Sequence, residues 1–427
     1  MSSNIKEIFQ KALDAHKNGK LQEALVYYKK IVEIKPDSAE AHNNLGILLH
    51  SMNRFDGAEK SFKKALEIKS DLAEAHNNLG ITFQFTSRLN EALESIKKAI
   101  ELKHGYFEAY NNIGKILYQL DKFDKAEESF KNALKIKPDY LEALYNKAIT
   151  LFKKKKFELA LKDFDSSNNI NSRSKSLECL YALNKTEEIY QRIETNNKLD
   201  ENNLSIAAFA SFISAKEKKI TANRFCINPL EFIQFSNLST HLKDSELFVN
   251  ELINELSKIK TRWEPMEKTT INGFQSEIGI NLFQDPPEKM NILKSIILNE
   301  IDSYYSKFKN ETCVFIQKWP EKKKFKGWHV ILKKQGYQNT HIHPTGWLSG
   351  VIYLKVVPPL KQNEGAIEFS LNGRDYYHQN LPSITHKPNI GDIVLFPSSL
   401  HHRTIPFSTD TNRIIVSFDL LPNGIKN

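Results

Sequence analysis

The chain has 427 residues, of which 40% are hydrophobic and 26% charged, and its formal net charge is +9 at pH 7. This length predicts two or three domains, and the composition is that of a folded globular protein, which excludes disorder throughout. The excess lysines are scattered, with no nucleic-acid-binding motif around them, so we expect no nucleic-acid partner.

The cysteines bear on the cellular compartment. Cys179, Cys226 and Cys313 form no CxxC pair and have no regular spacing. This argues against a disulfide framework or a zinc ribbon and favours a reducing, cytoplasmic location. The first residues are charged and helix-periodic, and no run of about 18 apolar residues occurs, so we expect neither secretion nor a membrane span.

The N-terminal half contains an internal repeat. Four similar segments follow one another every 34 residues: AEAHNNLGILL, AEAHNNLGITF, FEAYNNIGKIL and LEALYNKAITL, which begin at Ala39, Ala73, Phe107 and Leu141. Small and large apolar residues then alternate at helical spacing, as at Ala58, Phe62 and Ala65. Pro36 and Pro138 lie where the second helix of a repeat should end, because proline cannot continue a helix. The pattern predicts repeated helix–turn–helix units.

This pattern resembles the tetratricopeptide repeat family over residues 5–174, as about five repeats in a domain spanning 1–174. Residues 175–225 look like a degenerate helical cap or linker. The resemblance implies an all-α superhelix whose concave surface holds a peptide or another protein.

One asparagine recurs at the same position of each repeat, at Asn44, Asn78, Asn112 and Asn146. The arrangement is similar to the asparagine ladder in the repeats of protein O-glycosyltransferases, which implies amide contacts with an extended peptide backbone in the groove. The alternative is that these asparagines bond locally within each helix pair and were duplicated with the repeat.

Residues 226–427 have a different pattern, in which short β-branched runs such as WLSGVIYLKVV and DIVLFP alternate with turn residues and isolated helices. This predicts an α+β domain built on an antiparallel sandwich or jelly roll. His341 and His343 alternate on one strand and therefore share a face. With the distant His402, they could hold one transition metal and leave a position open for chemistry.

Tyr353 and Leu354 end the strand after the histidine pair, GDIVLFP precedes His402, and Arg413 and Ser417 follow it. Together with the histidines, these residues resemble the 2-oxoglutarate- and iron(II)-dependent dioxygenases of the prolyl-hydroxylase-like branch, whose fold is a double-stranded β-helix. If the family's ligand positions apply to this chain, the resemblance implies that His341 and His402 are iron ligands. Arg413 would pair with the far carboxylate of 2-oxoglutarate, and Tyr353 and Ser417 would hydrogen-bond to it. Fe(II), 2-oxoglutarate and O2 are the implied cofactor and co-substrates.

The chain departs from that family at His343, where an aspartate is usual. Three imidazoles leave the metal one unit more positive than two imidazoles and a carboxylate. We favour His343 as the third ligand; the alternative is Glu368, with His343 behind it. His401, next to His402, is a further ambiguity.

The combination predicts a hydroxylase that acts on a protein or peptide side chain recruited by the repeats. Two alternatives stay open: a peptide-binding scaffold with a catalytically silent oxygenase-like domain, and a small-molecule hydroxylase.

Overall fold

A computed structural model describes residues 3–265, 268–358 and 360–424 of the protein. The chain divides into two compact units, Met1–Asn168 and Asn169–Asn427. Residues 175–225, which the sequence suggests as a cap or linker, fall within the second unit.

The first unit is built from helices that follow one another as pairs: α1 Ser3–Lys17, α2 Leu21–Ile34, α3 Ala39–Ser51, α4 Phe55–Ile68, α5 Ala73–Phe85, α6 Leu89–Leu102, α7 Phe107–Gln119, α8 Phe123–Ile136, α9 Leu141–Lys153 and α10 Phe157–Ser167. Helices α2 and α8 end two residues before Pro36 and Pro138. The predicted helix–turn–helix repeat is therefore confirmed.

Small residues set the distance between the two helices of a repeat. A Cβ added to Gly46 would lie 2.6 Å from a ring carbon of Phe62, and one added to Gly114 would lie 2.4 Å from the ring of Phe130. Both aromatic rings are buried. The glycine of the first helix thus makes room for the large side chain of the second, as in close-packed cores elsewhere.

The second unit contains further helices: α11 Ile170–Ala182, α12 Thr186–Thr195, α13 Leu204–Glu217, α14 Ser245–Leu256, α15 Glu288–Phe308 and α16 Val314–Gln317. Its strands are β1 Gln234–Asn237, β2 Thr261–Trp263, β3 Thr270–Ser276, β4 Phe325–Gln338, β5 Leu348–Lys355, β6 Ile367–Ser370, β7 Ser383–His386, β8 Asp392–Pro397, β9 His401–Thr404 and β10 Arg413–Leu420.

Over the residues that the structure describes, the strands form two antiparallel sheets. The larger has the order β1-β8-β5-β10-β4-β3-β2, and the smaller has the order β7-β6-β9. Strand β10 lies between β5 and β4, with Ser417 opposite Val351 on one side and Trp328 on the other. The C-terminal strand is therefore central to the larger sheet.

The two faces of the larger sheet contact different cores. Val416 and Phe418 of β10 pack in one cluster with Leu252 of α14 and Ile297 of α15. Ile415, on the opposite face, packs in a second cluster to which both sheets contribute, including Val351, Phe369 and Phe396. Because side chains alternate along a strand, the odd-numbered residues of β10 from Arg413 to Asp419 face the space between the sheets.

The predicted fold class, a helical repeat array followed by an α+β domain with antiparallel sheets, is confirmed. No helix within the described ranges combines the length and the apolar character needed to cross a membrane.

Candidate metal centre and co-substrate pocket

The three predicted histidines come together between the sheets. His341 and His402 form an isolated antiparallel bridge, in which the His341 N–H donates to the His402 carbonyl at 3.1 Å and the His402 N–H donates back at 3.0 Å. His343 lies two residues beyond, and one ring nitrogen from each histidine lies within 4.8 Å of the others. A bridge between segments 61 residues apart in the sequence thus assembles the cluster.

Two of the imidazoles are oriented by backbone carbonyls. The His341 Nδ1 lies 2.6 Å from the Asn339 carbonyl oxygen, and the His402 Nδ1 lies 3.2 Å from that of Leu400. A carbonyl oxygen can only accept, so each Nδ1 carries the proton and donates it. This leaves the Nε2 lone pair of both rings as a potential metal ligand.

His343 is oriented by a carboxylate instead. Its Nδ1 lies 2.5 Å from Asp419 Oδ1, and its Nε2 lies 3.2 Å from the His341 Nε2. Two neighbouring ligands at right angles, each bonded to a metal at roughly 2.1 Å, would stand about 3 Å apart. The separation of the two Nε2 atoms is thus suited to a shared ion.

Burial keeps the imidazoles of His341 and His402 neutral. It lowers the pKa of His341 to about 3, and it lowers the pKa of the His402 imidazole well below its usual range. Near pH 7 both rings therefore lack the second proton that would block Nε2. Neutral imidazole is the form that binds transition metals.

At the other end of the space lies a buried guanidinium. Arg413 is only 1% exposed, its Nη1 donates to Thr404 Oγ1 at 3.0 Å, and its Cζ lies 5.0 Å from the centre of the Tyr353 ring. Among the described residues, neither Arg413 Nε nor the Tyr353 hydroxyl has a hydrogen-bond partner. Burial raises the pKa of Tyr353 to about 12, so its hydroxyl stays protonated and can donate.

Unpaired buried donors are costly, at about 1–3 kcal/mol each and more for a charged group. A ligand carboxylate placed here would accept from both Arg413 and Tyr353. The donor set therefore fits an anionic group at this end and a metal ion at the other.

One small cavity, with a volume of about 20 Å³, lies between the two ends. Predicted site residues from both ends line it, together with aromatic, aliphatic and small polar side chains: Trp328, Gln338, His341, His343, Val351, Tyr353, Ile367, Phe396, His402, Thr404, Arg413, Ile415 and Ser417. The predicted metal ligands and the predicted co-substrate residues thus lie around a common space.

Two other sequence candidates lie outside the histidine cluster. Glu368 accepts from Arg403 Nε at 2.9 Å, across the antiparallel pair of β6 and β9. It alternates with Ile367 and Phe369, which pack between the sheets. His401 alternates with His402 on β9, and its ring packs edge-on against Tyr376.

Sequence reasoning did not single out Asp419 or Thr404 as site residues. Asp419 lies two residues after Ser417 on β10, so strand alternation was the signal that could have placed it on the cavity side. Thr404 could not be found in this way, since its contact with Arg413 depends on how the two sheets face each other.

In the first unit, the recurring asparagines are half-buried on the first helix of successive repeats. Amide nitrogens donate to an asparagine oxygen of the preceding repeat at 3.2, 3.0 and 2.9 Å in the pairs Asn78–Asn43, Asn112–Asn77 and Asn146–Asn111. These inter-repeat bonds were not part of either sequence interpretation.

Comparison with known proteins bears on both units. A family model described as "Putative 2OG-Fe(II) oxygenase" matches residues 326–419, and tetratricopeptide repeat models match residues 15–79, 73–104 and 107–140. No curated protein matches the chain.

Several solved structures are similar to part of the chain. PilW, a type IV pilus biogenesis factor, is 18% identical and matches over 49% of this chain and 99% of its own, with a TM-score of 0.46. PilF of Pseudomonas aeruginosa is 22% identical, over 48% of this chain and 96% of its own, with a TM-score of 0.43. YrrB, described as a TPR protein with an unusual peptide-binding site, is 18% identical, over 42% and 95%, with a TM-score of 0.35. The family models thus identify tetratricopeptide repeats within residues 15–140 and a putative 2OG-Fe(II) oxygenase domain within residues 326–419.

Proposed function

We propose that the second unit is a 2-oxoglutarate- and iron(II)-dependent dioxygenase that hydroxylates a protein or peptide side chain recruited by the repeats. One observation carries the proposal: a single cavity contains three ring nitrogens prepared for a metal and a buried arginine with an unpaired N–H. The oxygenase family match supports the same cofactor pair.

His341, His343 and His402 would hold Fe(II) through Nε2. Each Nδ1 is already engaged, by Asn339, Asp419 and Leu400 in turn, so the rings need little reorientation to bind the ion. Bound iron would supply the oxygen chemistry, in which oxidative decarboxylation of 2-oxoglutarate to succinate is coupled to insertion of a hydroxyl group into a C–H bond.

Arg413 would hold the far carboxylate of 2-oxoglutarate, because a guanidinium presents two parallel N–H groups that match a carboxylate. The Tyr353 hydroxyl would donate a further hydrogen bond. Ser417 lines the same cavity, on the same strand as Arg413 and Ile415, and would supply another hydrogen bond. These groups are buried and already shielded from bulk water. A bound anion would therefore give hydrogen-bond acceptors to donors that are otherwise unpaired.

The cavity walls would limit access of water to the reaction. Val351, Ile367, Phe396 and Ile415 line the space between the histidines and the guanidinium. An apolar lining strengthens the electrostatic interactions inside the site and restricts side reactions with water.

The repeats would recruit the substrate. Tetratricopeptide repeats form extended surfaces for protein or peptide partners. Asn44, Asn78, Asn112 and Asn146 are half-buried, and we propose that their remaining exposed surface contributes to that groove. We place the enzyme in the cytoplasm, because the cysteines form neither a CxxC motif nor a regular spacing in the sequence.

The test is anaerobic reconstitution of the full-length protein with Fe(II), followed by addition of 2-oxoglutarate. We expect the visible charge-transfer band that arises when 2-oxoglutarate chelates iron(II). Arg413→Lys keeps the charge but loses the paired N–H geometry, so we expect the apparent affinity for 2-oxoglutarate to fall about tenfold or more.

Arg403→Lys is the matched control, because Arg403 pairs with Glu368 away from the cavity and should leave the affinity unchanged. Wild-type protein that binds Fe(II) but gives no band with 2-oxoglutarate would contradict the proposal. It would favour the silent scaffold instead.

A further inference from the structure

We propose that Asp419 is a positioning residue that holds His343 as the third metal ligand and returns to the site the negative charge that an aspartate ligand would bring. This inference rests on the proposed function. It concerns a residue that has no assigned role in the site and that stands behind His343, where the prolyl-hydroxylase-like dioxygenases usually have an aspartate.

The carboxylate is bound closely on two sides. Asp419 Oδ1 accepts from His343 Nδ1 at 2.5 Å and from Ser349 Oγ at 2.6 Å, and the Ser349 hydroxyl lies 2.8 Å from that of Ser398. Asp419 is 7% exposed and Ser349 is fully buried. The carboxylate therefore has little freedom to turn away from the histidine.

The backbone around Asp419 is arranged for this contact. Asp419 pairs directly with Ser349 across the β10–β5 ladder, and the His343 N–H donates to the Ser398 carbonyl at 2.9 Å. A Cβ at Gly346 would lie 3.0 Å from the Asp419 carboxyl carbon and 2.6 Å from Ser398 Oγ. Only a residue without a side chain leaves the room that the carboxylate occupies.

His343 differs in this respect from the other two histidines. The Nδ1 partners of His341 and His402 are neutral carbonyl oxygens, whereas the partner of His343 is a carboxylate. A carboxylate behind a metal-bound imidazole fixes its tautomer and raises the basicity of the coordinating nitrogen. The ring and Asp419 together would thus act as an anionic ligand, which compensates for the missing aspartate.

The test uses the full-length protein and cobalt(II) as a spectroscopic probe, titrated anaerobically and followed by its visible absorption. Asp419→Asn keeps an oxygen that can accept from His343 but removes the charge. We expect cobalt(II) affinity to fall by about 10–100-fold, the usual effect of losing such a partner. The melting temperature of the metal-free protein shows whether the variant remains folded.

Asp392→Asn is the matched control. Asp392 also accepts from a histidine, with its Oδ2 3.0 Å from His386 Nε2, but neither residue lines the cavity. Its substitution should leave cobalt(II) affinity within about twofold of wild type, since the lost charge is not next to a ligand. An equal loss in both variants would overturn the role assigned to Asp419.

A second variant tests the charge independently of the fold. In His343→Asp combined with Asp419→Asn, the negative charge moves from behind the ligand to the ligand itself. We expect this double variant to bind cobalt(II) more tightly than Asp419→Asn alone. Affinity equal to or below that of the single variant would contradict the charge argument.

The outcomes separate this inference from the proposed function. Failure of the wild-type protein to bind cobalt(II) or iron(II) would contradict the metal site itself. Wild-type binding that Asp419→Asn leaves unchanged would overturn only the role of Asp419.

Discussion

The two units use buried polar side chains in opposite ways. In the repeat unit, asparagines of successive repeats are hydrogen-bonded to one another, as in the pair Asn112–Asn77. In the second unit, each cluster histidine has an Nδ1 partner and the three rings converge on one point, while Arg413 keeps an N–H without a partner among the described residues. The first arrangement bonds protein groups to one another, whereas the second leaves Arg413 Nε and the Tyr353 hydroxyl without an acceptor among the described residues.

This difference predicts that polar side chains contribute mainly to stability in the first unit and mainly to ligand binding in the second. A hydrogen bond between buried side chains contributes about 0.5–1.5 kcal/mol and holds neighbouring repeats together. An unpaired buried group costs stability and persists where a ligand satisfies it. Substitutions in the repeats should therefore change the free energy of unfolding, and substitutions in the cavity should change binding.

The largest effect is expected at the metal end. His402→Ala removes one of three converging nitrogens and the ring that packs 4.2 Å from His341, centre to centre. We expect loss of stoichiometric iron(II) binding and of 2-oxoglutarate turnover, measured by metal analysis of the reconstituted protein and by succinate formation.

His386→Ala is the control, because His386 bonds to Asp392 and lies outside the cluster. Its iron content and turnover should match those of wild type. Persistent turnover in His402→Ala would break the distinction between the two units, since the histidines would then be structural.

The sequence predicted those site residues that belong to local motifs, but not those that depend on the pairing of distant strands. The repeat period located the asparagines. The expectation that His341 and His343 alternate on one strand was wrong, because both lie between β4 and β5, where His341 forms an isolated bridge with His402. The contacts of Asp419 with His343 and Ser349 depend on the register of β10 against β5, which pairs residues 70 positions apart. No spacing in the chain encodes that register, so the residue behind His343 could not be assigned.

The same limit applied to the asparagines. The repeat showed that Asn78 and Asn112 occupy equivalent positions. It did not show that Asn78 bonds to Asn43 and Asn112 to Asn77, each of which comes directly before the equivalent asparagine of the preceding repeat. That contact depends on how far one helix pair rotates relative to the next.

An intermediate effect is expected from crowding within a repeat. A Cβ at Gly80 would lie 2.3 Å from Ile96 Cγ1 and 3.0 Å from the Ala92 carbonyl oxygen, which is backbone and cannot yield cheaply. Overpacking of a core costs about 1–3 kcal/mol, partly offset by roughly 1 kcal/mol of better helix propensity. We expect Gly80→Ala to lower the free energy of unfolding of the repeats by up to about 2 kcal/mol, measured by urea denaturation.

Gly57→Ala provides the comparison, because the nearest atom to its Cβ is the end of the flexible Leu49 side chain, at 3.3 Å. It should be neutral or slightly stabilising. Cobalt(II) affinity should be unchanged in both variants. A loss of metal binding in Gly80→Ala would mean that the packing of the repeats influences the site.

The smallest effect is expected from the asparagine pairs, and it discriminates between their two possible roles. Asn112→Ala removes the 3.0 Å bond to Asn77 Oδ1. Asn44→Ala is the matched substitution in the first full repeat, where the residue 35 positions earlier is Phe9, whose side chain offers no acceptor. Both variants gain the same helix propensity, so the difference between them isolates the inter-repeat bond.

We expect Asn112→Ala to be less stable than Asn44→Ala by about 1 kcal/mol, the usual net contribution of such a bond. Urea denaturation followed by far-UV circular dichroism measures both. Equal stabilities would mean that the bond contributes nothing to the array and that the asparagines are kept for a bound peptide. A difference of the expected size would show that at least part of the recurrence serves to join one repeat to the next.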